Sequence, residues 1–144
     1  MGRKRRAKQA EAEWQRTLEW RLERVAHEIY VQVATAGLPV VPVAGAGVMV
    51  EIVHNPGTDP DVWVGWMAAP SLREAVDGAD AHAEAVVWLR SHAYTILTVM
   101  TEAIRAILTS SGFSVAVQVD GGSSYTVRVL DIPRALHTEF GLSS

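Results

Sequence analysis

The stretch Phe113–Asp131 (FSVAVQVDGGSSYTVRVLD) decides the class of this fold. Phe113, Val115, Val117 and Val119 occupy every second position, with Ser114, Ala116 and Gln118 between them. On the return run Tyr125, Val127 and Val129 alternate with Thr126, Arg128 and Leu130. A period of two sends the two sets to opposite sides of a strand, and β-branched residues suit a pleated, half-buried surface. Asp120-Gly121-Gly122-Ser123-Ser124 supplies the turn, so the segment is expected to form an antiparallel hairpin with one buried and one wet face.

Immediately upstream the period changes. From about Asp80 to Leu108 the residues Glu84, Ser91, Thr95, Thr98, Glu102, Arg105 and Thr109 form one thin polar stripe on a helix. Val86, Val87, Leu89, Tyr94, Ile96, Leu97, Val99, Met100, Ile104, Ile107 and Leu108 cover most of the remaining circumference. So apolar a helix is expected to be buried on more than one side, at the centre of the domain or in a subunit interface.

The same element order occurs earlier in the chain. A helix from about Arg6 to Ala36 carries Trp14, Leu18, Leu22, Val25, Ile29, Val33 and Ala36 at spacings of three and four, with Trp20 about half a turn off that stripe. Gly37 and Pro39 stop it. The runs Val48–His54 and Val62–Met67 follow, joined by Asn55-Pro56-Gly57-Thr58-Asp59-Pro60, a strong turn signal. Leu38–Val43 contains two prolines, which restrict it to a short edge strand. Ser71-Leu72-Arg73-Glu74 is a capping box for a short helix ending near Asp77-Gly78, and Pro133 opens another at Arg134–Phe140. The repeat is one of order, since beyond Gly47 with Gly112 and Val50 with Val115 the residues do not match. The expected architecture is α+β: a four- or five-stranded antiparallel sheet with two long helices on one face, in the order α-β-β-β-α-β-β-α. A single domain over residues 9–144 follows a basic segment, residues 1–8, expected to be disordered.

A chain of 144 residues with 49% hydrophobic and 20% charged residues is long and apolar enough to build one globular core. With no cysteine, it has neither disulfides nor thiolate chemistry. The basic start leads into Glu11, Glu13 and Arg16 rather than an apolar run, so no signal peptide is expected, and Arg6 stands where a myristoylation signal needs Ser or Thr. Ala85–Leu108 is interrupted by Arg90, His92, Glu102 and Arg105, which argues against a membrane span. A cytoplasmic location is the expectation. Arginine outnumbers lysine 11 to 2, which suggests a bacterial or phage origin.

No motif for chemistry stands out. Asp77, Asp80, His82 and Glu84 are the densest polar cluster, yet His82 and Glu84 lie about 200° apart on one helix and cannot share an ion. Helix capping accounts for the aspartates, and no metal is expected. His82 and His92 are separated by about 15 Å of helix, and His92, among apolar neighbours, is expected in the core. Ser110-Ser111-Gly112 is not a nucleophile elbow, and Ala44-Gly45-Ala46-Gly47 lacks the Gly-Lys-Ser/Thr ending of a phosphate loop. No cofactor and no catalytic residue are expected. The enzyme alternative rests on Glu51, His54 and His137, with Asp131 the other strand-borne acid.

Surfaces are more informative. The first hairpin carries Met49, Val53, Trp63 and Met67 on the face where the second carries Ser, Gln, Thr and Arg. Such a patch needs a partner, or cover from Leu38–Val43, the short helix or the C-terminal helix. Arg3, Lys4, Arg5, Arg6 and Lys8 put +5 in the first eight positions and leave −8 on the remainder. This segment is a candidate for electrostatic contact with nucleic acid or an acidic protein surface, or simply a solubilising tail. The element order resembles that of bacterial secretion chaperones and, more loosely, small phage tail-assembly proteins, a resemblance over the whole chain without a shared motif. It implies a non-enzymatic assembly role. The expected function is therefore interaction or assembly through an apolar interface, as a homo-oligomer or with a protein partner. The alternatives are a nucleic-acid-associated protein or a small enzyme.

Overall fold

Between Arg3 and Ala36 no proline or glycine interrupts the chain, and most residues there are good helix formers. In the computed structural model, helix α1 accordingly runs Gly2–Thr35. It takes in the basic segment Arg3–Lys8, for which disorder is the expectation from charge alone. The structure describes residues 2–41, 45–68, 72, 74, 84–120 and 124–142, without the side chains of residues 85, 86, 120, 124 and 125. After α1 come β1 (Gly47–Val53), β2 (Asp61–Met67), α2 (Glu84–Ser110), β3 (Ser114–Asp120), β4 (Ser124–Asp131) and α3 (Arg134–Glu139). The capping box at Ser71, and Asp77, Asp80 and His82, lie outside the described residues.

The four strands form one antiparallel sheet in the order β1-β2-β4-β3. Each hairpin pairs with itself, and the two join where Trp63 and Val64 of β2 face Arg128 and Val127 of β4. Of the segment Leu38–Val43, the described residues 38–41 do not add a fifth strand. Val40 makes an isolated parallel bridge to Val48; the Val48 N–H donates to the Pro39 carbonyl (2.9 Å) and the Val41 N–H to the Val48 carbonyl (3.0 Å). Pro39 has no N–H with which to extend the ladder.

Cross-strand partners share a face, so Val50, Val64, Val127 and Val117 lie on one side of the sheet. Both long helices pack there. Val25, Ile29 and Val33 of α1 and Ile104 and Leu108 of α2 close the core with Val48, Val62, Val64 and Val127. Both helices end alike, with the N–H of Leu38 donating to Val33 and that of Phe113 to Leu108 (each 3.0 Å), the closure of a helix that stops at glycine. The Tyr30 hydroxyl accepts the Val50 N–H (3.0 Å), tying α1 to β1.

Helix α3 is held against α1. Leu136 and Phe140 enter the core, Trp20 meets the Phe140 ring edge-on (centroids 5.5 Å apart), and Arg24 bridges Glu139 (2.9 Å) and Glu28 (3.1 Å). The hydrogen bonds to Glu139 and then Glu28 raise the Arg24 pKa, while those from Gln32 and Arg24 hold the Glu28 carboxyl below its usual range. Trp20 is thus half-exposed and in contact, as its position off the α1 stripe suggests.

One core position is imperfect. The Thr101 side chain is buried in α2 and its hydroxyl has no hydrogen-bond partner. Thr101→Val keeps the branched shape and removes the unpaired group, so it is expected to stabilise the fold by about 1–2 kcal/mol. A rise in the urea midpoint at unchanged slope checks this.

Candidate functional site

Among the described residues, four large apolar side chains are exposed along α2 between Val87 and Val99. Ile104 and Leu108 anchor the C-terminal end in the core, but Val87 (61%), Trp88 (64%), Tyr94 (44%) and Val99 (59%) are exposed. The two-sided burial expected of this helix is therefore not met within the described chain. Its inner side, Ala93, Ile96 and Leu97, faces the end of β2 across an open groove of about 400 Å³, completed by Met49, Trp66 and Met67. Trp88 stacks on His92 (centroids 5.1 Å apart, planes 11° apart). His92 is exposed and not in the core, packed against the exposed Trp88 rather than among the residues that line the groove.

The residues expected at a partner interface are only partly brought together. Register places Met49, Val53, Trp63 and Met67 all on the outer face of the sheet, opposite the helices. Met49 and Met67 reach the groove; Trp63 does not line it, and Val53 lies by the β1–β2 turn. All four are half-buried rather than bare. Trp63 shares its row with Glu51 and Arg128, and Arg128 donates to Asp61 (3.1 Å). The Trp63 indole N–H, the Arg128 Nε–H and the Thr126 hydroxyl have neither an acceptor nor solvent access, so no ligand reaches them without displacing a side chain. Helix α3, one of the possible covers for this face, packs on α1 instead.

The residues of the enzyme alternative are scattered. Glu51 and His54 are exposed on β1 and just beyond it. His137 of α3 meets Asp131 at the end of β4, Nε2 to Oδ1 3.0 Å, beside a depression of about 290 Å³ that also reaches Asp61, Leu22 and Val25. Sequence reasoning noted both residues but did not join them, since only the turn from β4 into α3 makes them neighbours. Among the described residues no serine, threonine or tyrosine lines the depression to serve as a nucleophile for acyl or phosphoryl transfer. No group of three or more histidines and acids could hold a metal among the described residues, and no described helix is long and apolar enough to cross a membrane.

The cations Arg3, Lys4, Arg5, Arg6 and Lys8 are exposed on the first turns of α1, and Trp14, two turns on, is 58% exposed. The apolar stripe of α1 therefore outruns its cover: Leu18 and Leu22 are partly buried, Val25, Ile29 and Val33 fully.

No protein-family model, no curated protein and no solved structure matches this chain.

Proposed function

We propose that this chain is a non-enzymatic assembly protein that buries the Val87–Val99 stretch of α2 and the adjoining groove against a protein partner, in the first instance another copy of itself. The observation that carries this reading is the exposure of Val87, Trp88, Tyr94 and Val99 on a single helix whose C-terminal end, at Ile104 and Leu108, is core. Burying such side chains is worth about 1.5–3 kcal/mol each, and tryptophan and tyrosine are favoured at interface centres. Met49 and Met67, expected at an interface, extend the same surface through the groove. Methionine adapts to an irregular partner at little cost.

Light scattering on the full chain tests this. A mass that is a multiple of 15.6 kDa is expected. Trp88→Gln with Val99→Gln should return it to the monomer value without altering the circular dichroism, because both side chains are exposed in the single chain. A mass of 15.6 kDa for the unaltered chain across micromolar concentrations would exclude self-assembly.

A further inference from the structure

Residues 2–17 of α1 are exposed throughout, and Leu18 is the first to be partly covered. At about 1.5 Å of rise per residue, Lys8 stands roughly 15 Å beyond Leu18 along the helix axis. The segment is therefore an arm projecting from the domain. Its cations, Arg3, Lys4, Arg5, Arg6 and Lys8, do not form a stripe. At about 100° per residue they surround the helix, leaving no gap wider than about 100°. None has an acidic partner among the described residues, where the ion pairs of α1 begin at Arg24.

This distribution selects among polyanions. A lipid surface is bound by a helix with one apolar and one basic face, and between Gly2 and Lys8 the only apolar side chain is Ala7, too small to anchor in a bilayer. A flat acidic protein surface would meet one side of the arm and leave the opposite cations in water. The major groove of duplex DNA is about 12 Å wide, admits a helix about 10–12 Å across, and flanks it with phosphates on both sides. We propose that Arg3–Lys8 of α1 is a contact for duplex DNA, seated in the major groove and held by phosphate charge without reading base sequence.

Two acids oppose this from within the arm. Glu11 and Glu13 stand about 5 and 8 Å from Lys8 along the helix axis, inside the screening length of about 8–10 Å at physiological salt, but they are outnumbered by the five cations. The partly covered part of the helix begins beyond that length, so repulsion from the rest of the acidic body is damped while contact stays confined to residues 3–8. Phosphates also relieve the unfavourable position of five cations at a helix N-terminus. The inference is independent of the assembly role proposed above.

The test is fluorescence anisotropy of a labelled duplex of about 20 base pairs titrated with the full chain over a sodium chloride series. Up to five phosphate contacts give a slope of log affinity against log salt near −4.5, a loss of roughly 500-fold between about 50 and 200 mM. Two unrelated duplex sequences should bind alike. The variant R3Q/K4Q/R5Q/R6Q/K8Q keeps good helix formers, and its slope should fall close to zero. Failure of the full chain to bind at about 50 mM salt, or equal binding by the variant, would overturn the proposal. So would stronger capture by phosphatidylserine-containing vesicles than by duplex. The variant's mass by light scattering without DNA separates this result from the assembly reading: an oligomer lost on removing the cations would identify them as a protein contact and likewise overturn the proposal.

Discussion

Truncating Ile104 to alanine is expected to destabilise the fold by about 2–5 kcal/mol, lowering the melting temperature by roughly 10 °C. Ile104 is fully buried in α2, in the core cluster that joins α1 to the sheet. Removing it forfeits the transfer free energy of three carbons and leaves a cavity that rigid helices on a sheet fill poorly. Val99, little more than a turn earlier on the same helix, makes the comparison informative. It is 59% exposed, so Val99→Ala should change monomer stability by less than about 0.5 kcal/mol. Thermal melts at a concentration where the chain is monomeric check both. A large loss for Val99→Ala with little for Ile104→Ala would mean that the inward side of α2 has been misplaced.

Gly47→Ala should be as damaging, for a different reason. Gly47 begins β1 at φ +148°, and a Cβ there would meet the Pro39 carbonyl oxygen at 2.4 Å and its carbon at 2.7 Å. Both are backbone atoms of the segment hydrogen-bonded to Val48, so the clash is relieved only by moving that segment off the edge of the sheet. The strained backbone costs roughly 1–3 kcal/mol, to which the lost contacts of Val40 and Val41 add. Gly57→Ala is the control, since it too has positive φ (+77°) but no atom within 4 Å of the new Cβ. Urea unfolding of the two variants should show Gly47→Ala as clearly the more destabilised. Equal losses would assign the whole effect to backbone strain.

Much of the fold is legible in the sequence because it depends on period and punctuation. The alternation from Phe113 to Leu130, broken only at its glycine turn, yields β3 and β4, and the three-and-four spacing of Val25, Ile29 and Val33 yields the buried stripe of α1. Strand order is not legible, because period assigns a residue to a face and not to a neighbour. Nothing in Val64 or Val127 announces that they pair. The candidate site shows the same limit. Parity alone places Met49, Val53, Trp63 and Met67 on one face, but which of them reach the groove depends on how far α2 overhangs β2. The apolar circumference of α2 signals a need for cover without saying where cover stops. Prolines at 39 and 42 restrict the segment ahead of β1 to an edge without revealing that it makes a single bridge.

The two ends of the sheet are unequal. At β1 part of the outward edge is occupied: Pro39 and Val41 take both polar groups of Val48, and Tyr30 takes the Val50 N–H. At the other end β3 (SVAVQVD) has no proline, one charge at its last position, and no further strand beside it among the described residues. A strand of that composition with an open ladder templates the addition of another chain. Edge-on aggregation of this protein should therefore be polar, nucleating on β3 in preference to the partly occupied β1, and concentrated or partly unfolded samples would first bury the segment Ser114–Asp120 in fibrils.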